Sequence, residues 1–423
     1  MKQIENVACT ICGCVCDDLR ITIENGKVTK AEGSCSLSEP WFLGQDQIQP
    51  PVATSEGHSV SLEAALTQAA DILRNSRSPL IYGLSRSSTE GQRAAVSLAD
   101  RIGATIDTTA SLCHAPSVMA IQQVGESTCS LGEAKNRADL VVFWGSNPVE
   151  THPRHFERYS LYPKGLFVPN GRHDRTLVVA DIQPTPTTEA ADLFLPVEPG
   201  KDFEALWTLR SLVRGLPIPP GTTTGVPLEL LEDLAERMKS CQCGIVFFGL
   251  GLSMRGLGHR SVEALLQLVT DLNHHTRFYV RRMRVQGDVT GADLVLAWQT
   301  GYPYSVNLAR GYPRYNPGEF SARDMLQRGE VDACLLLGSE GAAQFSAEAL
   351  AHLNRIPTIV LDYPTVESTI HPKVRFTTAV YGIHHRGTAY RMDEVPIPLR
   401  SFLTTHYPTD QFVLNEIAKQ LLD

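Results

Sequence analysis

The feature that most narrows the fold is a succession of short apolar runs that close on glycine, serine or aspartate and alternate with amphipathic stretches. PLIYGL at 79–84, DLVVFWG at 139–145, TLVVADI at 176–182, GIVFFGLG at 244–251, DLVLAW at 293–298, ACLLLGS at 333–339 and TIVLDY at 358–363 read as buried parallel strands. Between them lie helical patterns. Over 61–78, Leu62, Ala65, Leu66, Ala69, Ile72 and Leu73 share one stripe behind a capping Ser61, and further helices are expected near 89–102, 200–214 and 259–273. The pattern predicts an α/β architecture of repeated strand–helix units, without a fixed-period repeat.

The first 60 residues differ from the rest. Four cysteines crowd eight positions, and ITIENGKVTKAEGS after them predicts a hairpin turning at Asn25-Gly26. We read 1–60 as a small cysteine-rich lobe and 61–214 as an α/β domain. The Pro- and Gly-rich GLPIPPGTTTGVP at 215–227 marks a domain transition, with 215–423 forming the remaining α/β part. With 423 residues, 43% of them hydrophobic and 20% charged, the chain has ample material for such cores. A net charge of −8 leaves no basic surplus for nucleic acid. No apolar run approaches the roughly 20 residues of a membrane span, and the amino terminus lacks a secretion signal, so a cytoplasmic protein is expected. In that compartment ten cysteines serve metal binding more readily than disulfides.

Cys9, Cys12 and Cys16, followed by Cys35, have a spacing that lets one loop supply three thiolates and a nearby segment the fourth, as an iron–sulfur cubane requires. A structural zinc accepts the same donors, although zinc sites favour two CxxC pairs. A third alternative is a set of cysteines left from a cluster-bearing ancestor. Cys14, lying between these positions, leaves open a ligand set that uses it.

GATIDTTASLCHAPSVMAIQQVG at 103–125 places Cys113-His114 in a small-residue loop, and KNRADLVVFWGSNPVETHPRH follows at 135–155. Together with RRMRVQGDVTG around Arg284 and the C-terminal GTAYRMDEVPI, these strings resemble the B subunit of the tungsten- or molybdenum-dependent formylmethanofuran dehydrogenases, over nearly the whole chain. The resemblance implies the pterin oxidoreductase fold, with several parallel-sheet α/β domains and a small N-terminal cysteine-rich lobe. It makes Cys113 the protein ligand of a tungsten or molybdenum bis(pterin guanine dinucleotide), a role that suits a soft thiolate. His114 becomes a proton-relay or orienting group, and Arg284 a cation for a formate or carbon dioxide oxygen. It also implies a 4Fe-4S cluster on Cys9, Cys12, Cys16 and Cys35.

From the residues alone, Cys113 could be core filler, His114 a loop brace, and Arg284, in a run with Arg281 and Arg282, part of a solvated face. Gly145-Ser146-Asn147-Pro148 closes a strand with a small-residue turn, and Gly249, Gly251, Gly256 and Gly258 follow another, where a backbone can approach phosphate or simply turn. The resemblance makes both segments, with His152-Pro153-Arg154-His155, face the dinucleotide. The tyrosine-dense 298–319 stretch resembles the family's corresponding loop.

The chain departs from the family pattern at Ala115 after Cys-His, at Gln183 where an arginine is usual, at Arg386 where a glutamate is usual, and at HPKVRF over 371–376. These changes point toward a relative, the B subunit of the bacterial formyltransferase/hydrolase complex, a non-redox scaffold in tetrahydromethanopterin-linked formaldehyde oxidation. Against that branch stand the retained cysteines. The favoured expectation is therefore a subunit interconverting carbon dioxide and formate or a formyl carrier such as methanofuran. Either resemblance implies sibling subunits, among them a separate β-barrel that caps the pterin and an amidohydrolase-like subunit.

Overall fold

The computed structural model describes residues 1–254 and 256–422. They divide into two compact units, one of Met1–Leu112 with Gln286–Asp423 and the other of Cys113–Val285. The transition expected at 215 is not where the chain divides: 215–227 joins helices Asp202–Val213 and Leu228–Ser240 inside the second unit. The reason lies in strand pairing. Pro79–Gly83 is flanked by Thr105–Thr108 on one side and Ala333–Leu337 on the other, so the first unit needs the returning C-terminal chain to complete its sheet.

In the first unit the sheet runs Arg314–Tyr315, Val306–Asn307, Thr105–Thr108, Pro79–Gly83, Ala333–Leu337, Thr358–Asp362, Val374–Thr377, Ala53–Ser55, His58–Ser59. The strands from Thr105–Thr108 to Val374–Thr377 are parallel and the outer ones antiparallel. Alternation along each strand sends side chains to opposite faces. Ile81, Ile106, Leu335, Ile359 and Phe376 meet helices Leu62–Arg74, Thr89–Ile102 and Asp410–Gln420. Leu80, Tyr82, Leu336 and Val360 meet helices Ala322–Gln327 and Ala347–Leu353. Each such side chain, taken fully out of water, contributes about 1.5–3 kcal/mol. Ser61 and Ser88 cap their helices, accepting from Ala64 N and Gly91 N.

DLVLAW is not a strand. It lies in helix Val289–Thr300, which Asp288 caps by accepting from Gly291 N at 2.9 Å and which Gly301 closes at φ 85°. The helix is buried around most of its circumference, so its sequence shows no amphipathic stripe and reads like a buried strand. The N-terminal hairpin turns as expected between Leu19–Glu24 and Lys27–Glu32, with Asn25 at φ 50° and Gly26 at φ 78°.

In the second unit the sheet is wholly parallel, in the order Leu193–Pro196, Thr176–Asp181, Leu140–Trp144, Cys243–Phe248, Arg277–Arg282. The chain builds outward one way from Leu140–Trp144 and the other way from Cys243–Phe248, so the order reverses between these two strands. Val142, Trp144, Val246 and Phe248 pack under the helices of one face. On the opposite face Phe143 stacks on Phe247 at 5.1 Å. Among the described residues no helix is long and apolar enough to cross a membrane.

Candidate functional site

The loops leaving Leu140–Trp144 and Cys243–Phe248 meet where the strand order reverses, the place at which open α/β sheets bind ligands. There the backbones touch. Gly251 N donates to Gly145 O at 3.0 Å. A Cβ on Gly145, whose φ is 55°, would lie 2.6 Å from Leu252 N, and one on Gly251 would lie 2.8 Å from Gly145 Cα. Gly249 is equally constrained, 2.5 Å from Gly145 O, and a Cβ on Gly258 would strike Ser253 O. These glycines allow two loops to close on each other. Gly256, at φ 52°, differs: among the described residues a Cβ there would meet nothing within 4 Å, and it borders a cavity of about 390 Å³ with Asp202, Phe203, Glu204, Leu257 and Arg260. Asn147 accepts from Thr187 Oγ1 at 2.6 Å, and Pro148 begins a short helical turn. Ser146 is buried beside them.

Cys113 is half-buried, and its carbonyl accepts from Ser253 Oγ at 3.2 Å, which ties the cysteine loop to the glycine loop. His114 starts helix Ala115–Val124 and is 1% exposed. Its Nε2 lies 3.2 Å from Met283 O and its Nδ1 3.0 Å from Ser117 Oγ. A carbonyl can only accept, so Nε2 carries the proton and Nδ1 accepts from Ser117. Burial, then Arg284 and Arg282, hold this imidazole well below its ordinary pKa. His114 is thus neutral, with both nitrogens engaged.

His152 is fully buried and its Nε2 donates to Arg284 O at 2.8 Å; burial pushes it down to about 4. His155, also fully buried, pairs through Nδ1 with Ser160 Oγ at 2.9 Å, and burial holds it well below its usual value. Arg154 is buried and donates to Glu157 at 2.9 Å. Arg284 and Arg281 are each 2% exposed, so the arginine run is not a solvated face. Cys113, His114, His152 and Arg284 are therefore linked in one place through Met283, Arg284 and Ser253.

The cysteine lobe belongs to the first unit. Cys9, Cys12, Cys14 and Cys16 are buried and Cys35 is half-buried. The loop closes on itself through Cys9 N to Cys16 O at 2.8 Å and Val15 N to Cys12 O at 3.1 Å. Burial raises the Cys9 thiol well above its ordinary value, and Cys12, Cys16 and Cys35 add to that rise, so each of these three stands within electrostatic reach of Cys9. Cys12 is lowered, first by its hydrogen bond with Cys14. Among the described residues no three His, Cys, Asp or Glu side chains are gathered to hold a single metal ion. The donor chemistry of Cys9, Cys12, Cys16 and Cys35, soft thiols on one tethered lobe that also carries Cys14, fits a cluster.

No family model matches the chain. It is 40% identical over 410 residues to the B subunit of tungsten-containing formylmethanofuran dehydrogenase 2 from Methanocaldococcus jannaschii, covering 95% of this chain and 94% of that one. To the protein of the same name from Methanococcus maripaludis it is 38% identical, covering 100% and 98%. The chain belongs to the B-subunit family of the formylmethanofuran dehydrogenases. Its fold also matches a chain in the crystal structure of the Methylorubrum extorquens formyltransferase/hydrolase complex, with a TM-score of 0.69 and 24% identity over 88% of this chain and 98% of that one.

Within this family member, residues that sequence reasoning passed over support the site. Arg86 donates to Thr10 O at 3.1 Å and Ile11 O at 3.3 Å, inside the cysteine loop. Met392, in the string that carried the C-terminal resemblance, donates its N–H to Gly13 O at 2.8 Å. Ser117 and Ser253 fix His114 and Cys113. Arg86 had one available signal, a lone arginine just beyond an apolar strand.

Proposed function

We propose that this chain is the cofactor-holding B subunit of a formylmethanofuran dehydrogenase-type complex that interconverts carbon dioxide and formate or a formyl carrier. The near full-length 40% identity to a tungsten-containing relative carries the reading. In it Cys113 would hold a tungsten or molybdenum bis(pterin guanine dinucleotide), and Cys9, Cys12, Cys16 and Cys35 a 4Fe-4S cluster. When bound, these groups supply the redox step at carbon and the electron transfer. The chain's own residues orient and select. His114, neutral and held at both nitrogens, fixes the loop that presents Cys113. Arg284 contributes a buried positive charge beside it, suited to a carboxylate-like oxygen. Gly256 borders the open side of the glycine loop, on a cavity where Arg260 is the cation and Asp202 and Glu204 are the carboxylates. Sibling subunits, including a β-barrel cap and an amidohydrolase-like subunit, would complete the complex.

A second reading, a non-redox scaffold in a formyltransferase/hydrolase complex, is favoured by the fold match over 98% of the corresponding chain and by Gln183 and Arg386. Metal analysis of the purified complex separates the two. Brown protein containing iron, acid-labile sulfide and tungsten or molybdenum is the expected result; colourless, metal-free protein overturns the redox reading.

A further inference from the structure

In the first unit the strand order also reverses, between Pro79–Gly83 and Ala333–Leu337. The turn after Pro79–Gly83 is forced into two consecutive left-handed residues, Gly83 at φ 114° and Leu84 at φ 72°, and delivers Arg86 into the crevice. Across it Gly338, at φ 87°, makes room for the arginine stem: a Cβ there would lie 3.3 Å from Arg86 Cβ. The guanidinium donates from Nη1 to Thr10 O and Ile11 O, at 3.1 and 3.3 Å, the carbonyls between Cys9 and Cys12. Its Nε donates to Glu340, and its own carbonyl accepts from Tyr363 Oη. Gly287 N donates to the same Ile11 O at 3.2 Å. The crevice that commonly receives a ligand is here filled by the chain's own cysteine loop, with a cation at its floor.

We infer that Arg86 is a positioning residue for the cysteine-bound cluster: it clamps the 9–12 loop by its carbonyls and, tempered by Glu340, sets the cluster's reduction potential through its charge. The inference rests on the cluster reading above. A reduced cluster gains negative charge, and a fixed cation nearby stabilises that state more than the oxidised one. In the partly buried setting of Arg86, whose side chain is 20% exposed, solvent screens this effect less than at an open surface. The pairing with Glu340 opposes it.

The test is a redox titration of the cluster in the purified complex, followed by electron paramagnetic resonance, with iron and sulfide measured on the same samples. Arg86→Met should move the midpoint to a more negative potential by about tenfold in the reduction equilibrium, about 59 mV for a one-electron couple. Glu340→Gln should move it the opposite way, and Arg86→Lys, which keeps the charge, should stay near wild type. Opposite signs for the two partners are what a charge effect gives and a folding defect does not. Where Arg86→Met fails to retain iron, the Glu340→Gln and Arg86→Lys titrations decide. Iron-loaded Arg86→Met or Glu340→Gln protein that keeps the wild-type midpoint overturns this inference alone, whereas wild-type protein without iron and sulfide overturns the cluster reading beneath it.

Discussion

The two units share a plan and differ in what occupies the crevice that the plan creates. Each has a parallel sheet whose strand order reverses beside its first strand, and in each the loops at that reversal are shaped by glycine. In the first unit the crevice receives the cysteine loop, whose carbonyls at Thr10, Ile11 and Gly13 are held by Arg86, Gly287 and Met392. In the second, Gly145 and Gly251 bring two loops into backbone contact, and the buried set of His114, His152 and Arg284 lies next to them. One reversal point thus seats a segment of the chain itself, while the other is braced from within and leaves open space at Gly256. A single architectural rule produces both a seat for the cysteine loop and a pair of glycine loops braced against each other.

Substitutions at the glycines sharpen that contrast. Gly145→Ala should be the most damaging, because its Cβ meets immovable backbone and its φ of 55° is strained for alanine; a loss of about 4 kcal/mol is expected in chemical denaturation. Next comes one of the buried histidines of the second unit. His152 is depressed in the folded state to about 4 from an unfolded value near 6.5. Its contribution is therefore present above pH 6.5 and is lost as pH falls toward 4, by roughly 3 kcal/mol in total. Unfolding midpoints measured across that window should fall steadily, and His152→Gln should flatten the fall; an unchanged slope would contradict the burial of a neutral imidazole. Gly338→Ala, strained at φ 87° and bringing its Cβ within 3.3 Å of Arg86 Cβ rather than into immovable backbone, should cost about 2 kcal/mol. Gly256→Ala, with open space around it, should cost about 1 kcal/mol and affect cofactor retention more than stability.

Much of this fold is legible in the sequence because buried parallel strands are short, apolar and punctuated. PLIYGL, DLVVFWG, TLVVADI, GIVFFGLG, ACLLLGS and TIVLDY all fall on observed strands. DLVLAW misleads because a helix buried on nearly all sides loses its periodic stripe, and RFYVRR hides a strand because its arginines serve ion pairs and carbonyls at the sheet edge. The interleaving of the units is invisible locally, since it depends on Ala333–Leu337 pairing with a strand some 250 residues earlier. At the site, the pairing of Cys113 with His114 is plain from the sequence. The use of the glycines for loop-on-loop contact, and the clamp by Arg86, depend on long-range approach that no spacing reveals.

Metal content in a pair of single variants tests the division of labour most directly. If each unit holds its own group, Cys12→Ala should lose iron and sulfide from the purified complex while retaining tungsten or molybdenum, and Cys113→Ala should lose tungsten or molybdenum while retaining iron. Folded variants in which both contents stay at the wild-type level would contradict the account.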